Sequence, residues 1–156
     1  GATDGVTLVY GELDVSKPMA VPVIKAVKKQ IKEGGNVILD SPPGTSCPFV
    51  ETVSGSDFCL LVTEPTPFGL HDLKIAVEVL RKVGVPFGVV VNRVGLGDEK
   101  VFEYCEKEGI RILMEIPYER RIAELYSKGV PFSLEMPEWA DKFQMLYSKI
   151  KELTTR

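Results

Sequence analysis

Histidine and cysteine are scarce in this sequence: 156 residues contain one histidine and three cysteines. Cys47, Cys59 and Cys105 are odd in number and widely spaced, which suits neither a disulfide framework nor a self-contained zinc or iron–sulfur motif. Reduced thiols are expected. Cys59 lies in an apolar run and is expected in the core, Cys105 falls on a helix between Glu103 and Glu106, and Cys47 is a small loop residue with no adjacent base to make it a thiolate. The one histidine, His71, stands near an expected helix start, where an imidazole serves structure more often than a site. No Ser-His-Asp order, paired-cysteine motif or cluster of carboxylates points to chemistry independent of a nucleotide. Basic charge is not in excess either. A net charge of −3 and a pI near 5.3 argue against a broad nucleic-acid footprint. There is no apolar run of membrane-spanning length and no charged-apolar-small leader, so no membrane span and a cytoplasmic protein or mature fragment are expected. A G-x-x-x-x-G-K-[ST] phosphate loop is also missing.

What is there has the composition of an ordinary globular protein, 44% apolar and 26% charged. Residues 1–5, GATDG, are small and polar like a tag or linker remnant, and one α/β domain is expected over residues 6–156. Val6 to Leu13 predicts a strand interrupted by Gly11. Residues 19–35 then place Val21, Ile24, Val27 and Ile31 at helical spacing, with Pro22 in the first turn and Gly34-Gly35 as the stop. Further strands are expected at Phe58 to Thr63, Phe87 to Asn92 and residues 111–117, separated by helices over Phe49 to Ser54, residues 67–84 and residues 95–109. Helices over residues 119–129 and 137–153 follow; the last carries Trp139, Phe143, Leu146 and Ile150 as a packing stripe. Alternating strands and helices predict a mostly parallel sheet of about five strands with helices on both faces.

The stretch from Asn36 to Cys47, NVILDSPPGTSC, organises the rest. Asn36 to Leu39 is a short apolar run bounded by Gly34-Gly35 and Pro42-Pro43-Gly44, the pattern of a buried parallel strand. Asp40 would close it at the carboxyl edge, where open α/β sheets bind ligands. The loop adds hydroxyls from Ser41, Thr45 and Ser46 and a backbone N–H at Gly44, donors and acceptors suited to a nucleotide with magnesium. A plain strand ending in a helix-capping Asp is the alternative.

With TEPTPFGLHDL, VVVNRVG and IPYERRIAELYSKGVPF, this loop resembles the MinD/ParA superfamily of P-loop ATPases, and within it the branch with an inserted ferredoxin-like, iron–sulfur domain. The resemblance runs from about Val6 onward, to the C-terminal portion of that family. The family's lysine-richer phosphate loop is absent. The resemblance implies ATP and magnesium as cofactors. Asp40 would be the catalytic and magnesium residue, and Pro43 and Gly44 would line the switch loop, with the Gly44 N–H at the γ-phosphate. Asn92 would bond the adenine beside Arg93, and Pro117 and Glu119 would form the wall of the base pocket, where the family often has Asp in place of Glu119. Arg120 and Arg121 add charge near these loops. The parent would be an ATPase working as a homo-oligomer with a protein or redox partner, its iron–sulfur cluster held upstream and not by this chain. The chain alone is expected to be inactive.

In the resembled fold the Asp40 strand lies beside the strand of the phosphate loop, so its open side is expected to be completed by a neighbouring chain or a rearranged Val6 to Leu13 strand. A different class of function also fits these residues: an α/β interaction or regulatory module that no longer binds nucleotide.

Overall fold

The structure, a computed structural model, describes residues 2–3, 5–13, 19–32 and 34–155. Contacts divide the chain into two compact units, Gly1–Ser56 and Asp57–Arg156.

In the first unit, β1 (Ala2–Thr3) and β2 (Val6–Thr7) form a two-stranded antiparallel ribbon, so two residues of the segment expected to be a remnant enter a strand. Helix α1 (Val21–Lys28) starts with Pro22 in its first turn, where a missing N–H leaves no bond unmade. Helix α2 (Cys47–Val53) ends on carbonyls that have no partner inside the helix. Lys28 supplies one: its ammonium donates to the carbonyl oxygens of Glu51 at 2.7 Å, Thr52 at 3.3 Å and Ser54 at 2.7 Å. A cation at a helix carboxyl end also meets the negative pole of the helix dipole.

Two expectations fail in this unit. The strand over Val6 to Leu13 shrinks to Val6–Thr7 and pairs with β1, not with the Asp40 run. Asn36 to Leu39 joins no ladder among the described residues. Val37 is 49% exposed and Ile38 95% exposed where a buried strand was expected. A strand exists only through a neighbour that takes its N–H and C=O groups. Without one, a run with strong β-propensity enters no ladder, and the expected first βαβ unit does not form among the described residues.

The second unit holds β3 (Cys59–Thr63), α3 (Pro67–Val83), β4 (Phe87–Val94), α4 (Lys100–Lys107), β5 (Ile112–Pro117), α5 (Arg120–Ser127), α6 (Phe132–Glu135) and α7 (Pro137–Thr154). The strands form one parallel sheet in the order β3-β4-β5, so the expected architecture stands with three parallel strands in place of about five. Successive side chains of β4 alternate between faces. Val90 joins Leu113 and Leu146 of α7 in one buried cluster, with Phe58, Leu60, Phe143 and Ile150 packed on it. Val89 and Val91 take the opposite direction, and Leu73, Val77 and Leu80 of α3 and Val101 and Cys105 of α4 are buried as well. Helices therefore serve both faces.

Between Val89 and Val90 the β4–β5 register slips. Such an irregularity takes a backbone group out of the ladder. Lys149 of α7 donates to the Leu113 carbonyl there at 3.1 Å. The four-residue α6 was not foreseen, being too short for periodicity to show; it brings Phe132 edge-on to Trp139 with ring centroids 5.3 Å apart. Cys59 is only partly buried, and that burial pushes its thiol up to about 11.

Candidate functional site at the carboxyl edge of the sheet

Parallel strands end together, so the loops after β3, β4 and β5 share one edge. Thr66 caps α3 by accepting the Gly69 N–H at 3.0 Å, and the Thr63 hydroxyl donates to the Gly69 carbonyl at 3.0 Å. These bonds set the path of the β3–α3 loop. Its buried Pro65 accepts the Asp98 N–H from the β4–α4 loop at 3.1 Å. Gly97 passes so close that a Cβ there would collide with the same Pro65 carbonyl, so only glycine allows the two loops to touch.

At the end of β4, Asn92 is half-buried and its Oδ1 accepts the Arg93 N–H at 2.9 Å. The Arg93 guanidinium lies 3.3 Å from the Glu64 carboxylate. Pro117 pairs with Val94 in the ladder, and the next N–H, of Tyr118, donates to the Val94 carbonyl at 2.8 Å. Glu119 is the residue before α5, and Arg120 bonds Glu124 at 2.8 Å along that helix. Four of the anticipated residues, Asn92, Arg93, Pro117 and Glu119, are thus carried by the ends of neighbouring strands and the loop that follows. His71 is exposed near the start of α3 and bonds none of them.

Asp40, Pro43 and Gly44 lie in the first unit, exposed, in the loop that leads into α2. Gly44 has φ 89, a left-handed conformation that turns the chain after two prolines with little strain for glycine alone. The Ser41 hydroxyl donates to the Pro42 carbonyl at 3.2 Å. Cys47 is exposed and Cys105 is buried.

Glu64, Pro65 and Gly97 were missed by sequence reasoning. Nothing local marks Glu64, because its partner Arg93 is twenty-nine residues away and only the β3–β4 register brings the two together. Two measurable grooves lie elsewhere. One of about 320 Å³ follows the free edge of β5, lined by Met114, Glu115, Lys142 and Met145 among others, and holds none of the anticipated residues.

Comparison with known proteins gives the following. No family model matches. An uncharacterized protein of Methanocaldococcus jannaschii is 33% identical over 127 residues, covering 80% of this chain and 44% of that protein. A protein of Pyrococcus horikoshii named iron-sulfur cluster carrier protein is 29% identical over 161 residues, covering 87% of this chain and 54% of its own length. The chain thus spans about half the length of these relatives. Among solved structures, the cell division ATPase MinD of Pyrococcus furiosus matches with a TM-score of 0.63 and 28% identity, over 85% of this chain and 57% of that one. With a parallel α/β sheet whose strand ends carry the Asn-Arg and Ile-Pro-Tyr segments, and with these relatives, the chain belongs to the MinD/ParA superfamily of P-loop ATPases.

Proposed function

We propose that this chain is the C-terminal part of an ATP-binding MinD/ParA-type ATPase of the branch linked to iron–sulfur chemistry. The observation that carries this is the match to a solved MinD ATPase over 85% of the chain; the relatives named as iron–sulfur cluster carriers support the second half.

The donor set fits magnesium and not a cluster. Asp40 with the hydroxyls of Ser41, Thr45 and Ser46 offers hard oxygen ligands of the kind magnesium takes alongside phosphate oxygens and water. Three cysteines fall short of the four that an iron–sulfur cluster ordinarily takes. Bound magnesium would neutralise phosphate charge. Asp40 would hold the ion, the Gly44 N–H would point to the terminal phosphate, and Asn92 with Arg93, Pro117 and Glu119 would receive the base.

Phosphate affinity in this superfamily comes chiefly from a backbone N–H cradle and its lysine, neither of which these residues contain. The chain alone therefore binds ATP weakly. Calorimetry is expected to show low-micromolar Mg·ATP binding only for a longer polypeptide that includes a phosphate loop, and to lose it in Asp40→Asn. Low-micromolar binding by the 156 residues alone, or none by the longer polypeptide, would overturn the assignment. The second result would favour an interaction module that no longer binds nucleotide. Function as a homo-oligomer in the cytoplasm completes the proposal, and light scattering of the longer polypeptide with and without ATP tests the assembly.

A further inference from the structure

The outer edge of β5 is open. On the side away from β4 no strand pairs with it among the described residues. The Val89 N–H donates to the Arg111 carbonyl at 2.9 Å, so that carbonyl faces β4. Successive residues of a strand turn their backbone groups to opposite sides, and the N–H and C=O of Ile112 therefore face outward. Beside them runs the groove of about 320 Å³, lined from the strand by Ile112, Met114 and Glu115 and from α7 by Lys142, Met145 and Lys149.

The three α7 residues stand at i, i+3 and i+7, one stripe along the helix. Met145 is 57% exposed between the two cations; an unbranched thioether adapts to many side chains. Lys142 lies 4.1 Å from the Trp139 ring centroid and meets no carboxylate among the described residues. Lys149 gives one N–H to the Leu113 carbonyl at 3.1 Å and has two more to offer. Glu115 is the one acid of this groove. Further acids, Asp141 and Glu152, line the second groove on the far side of Met145.

We propose that the trough between β5 and α7 docks an extended, acidic segment of a partner protein, which joins the sheet as a fourth strand. Strand addition takes its affinity from main-chain hydrogen bonds and its selectivity from the pockets that receive alternate side chains. Ile112 begins the main-chain pairing, Met145 receives an apolar side chain, and Lys142 and Lys149 receive carboxylates. On a chain of net charge −3 this groove carries two lysines against one glutamate. Lysine beside an open edge discourages strands in general; an acidic strand it attracts. A second copy of the chain fits poorly, because an antiparallel β5–β5 pair about a twofold axis sets the two α7 helices side by side on one face, lysine row against lysine row.

The test is an NMR titration of the isotope-labelled chain with three blocked heptapeptides: alternating valine and glutamate, alternating valine and lysine, and the glutamate peptide with every amide N-methylated. The glutamate peptide is expected to move the Ile112 amide downfield and to bind roughly fivefold more tightly than the lysine peptide, the effect of a few exposed charge pairs. In Lys142→Gln that gap is expected to narrow by about twofold, while the Val90 amide keeps its position and shows the sheet intact. Lys149 is left in place because it holds the Leu113 carbonyl. An unchanged gap in Lys142→Gln, or a lysine peptide that binds as well as the glutamate one, overturns the acidic class of the partner. Equal binding of the N-methylated peptide overturns strand addition. An Ile112 shift that grows with chain concentration in the absence of peptide makes the occupant a second copy and overturns the proposal, as does an Ile112 amide that the glutamate peptide leaves unmoved at millimolar concentration.

Discussion

Lys28 shows how much one side chain can hold. Its ammonium satisfies three carbonyls at the end of α2, and hydrogen bonds to a charged donor contribute about 1.5–3 kcal/mol where the partner would otherwise go unmet. Lys28→Met, which keeps the stem and removes the charge, is expected to destabilise the first unit by about 1–3 kcal/mol, read as a lower urea midpoint in the unfolding of residues 1–56. Cys59 gives a prediction of pH dependence. Burial raises its thiol from 9.0 to about 11. Unfolding would let the proton leave at the lower value, so the contribution of this group is whole below pH 9.0 and is lost as the pH rises toward about 11. Burial pushes Cys105 and Tyr104 in the same direction. Urea midpoints are expected to fall as the pH rises from about 8 to about 10.5, and to fall less in Cys59→Ala. An equal fall in both proteins would remove Cys59 as a cause.

Elements in the second unit are held by apolar stripes facing the sheet. Helix α7 sets Trp139 and Leu146 into the interior, with Phe143 and Ile150 between and beyond them. Leu146 touches the cluster of Val90 and Leu113 directly, so Leu146→Ala removes methyl groups from a packed site and leaves a cavity. The expected cost is about 2–5 kcal/mol, measured by urea unfolding of the second unit with the Trp139 fluorescence as the signal. Helices α3 and α4 are joined at their carboxyl ends by Arg81, which donates to the Glu108 carboxylate at 2.7 Å and to its carbonyl at 3.1 Å. The same contact holds the Glu108 carboxyl below the usual range, led by the hydrogen bond from Arg81. The pair is exposed and is worth little to stability; its effect is to fix where α4 ends.

The whole molecule combines two units of unequal regularity. In the second, β4 is paired on both sides and covered on both faces. In the first, Asn36 to Asp40 lacks ladder bonds among the described residues. Amide exchange separates the two cases, because protection follows the cost of breaking backbone hydrogen bonds. Val89, Val90 and Val91 are expected to exchange only on global opening of their unit, and residues 36–40 at nearly the rate of an unstructured chain. Slow exchange at Val37 and Ile38 would mean that another strand pairs with this run, from a second copy of the chain or from elsewhere, and would revise the picture of an open edge.

Local chemistry determined most elements without help from the fold. Pro22 and Pro67 in first turns, the apolar stripe of α7 and the valine run of β4 are each set by periods of two or about 3.6 residues and by backbone preferences that a residue carries with it. The Asn92, Arg93 and Pro117 segments were likewise legible, because they follow strands that the sequence already marks. What needed the tertiary structure was every feature resting on a partner far along the chain. Asn36 to Leu39 has the composition of a buried strand, yet hydrogen bonding across a ladder belongs to pairs of segments and not to one. The Glu64–Arg93 contact, the collision that reserves position 97 for glycine, the Lys149 bond at the register slip and the left-handed Arg93 all arise where β3, β4, β5 and their loops come side by side. Register is decided by packing the valines of β4 against helices on both faces, a long-range condition with no signal in any single stretch of residues.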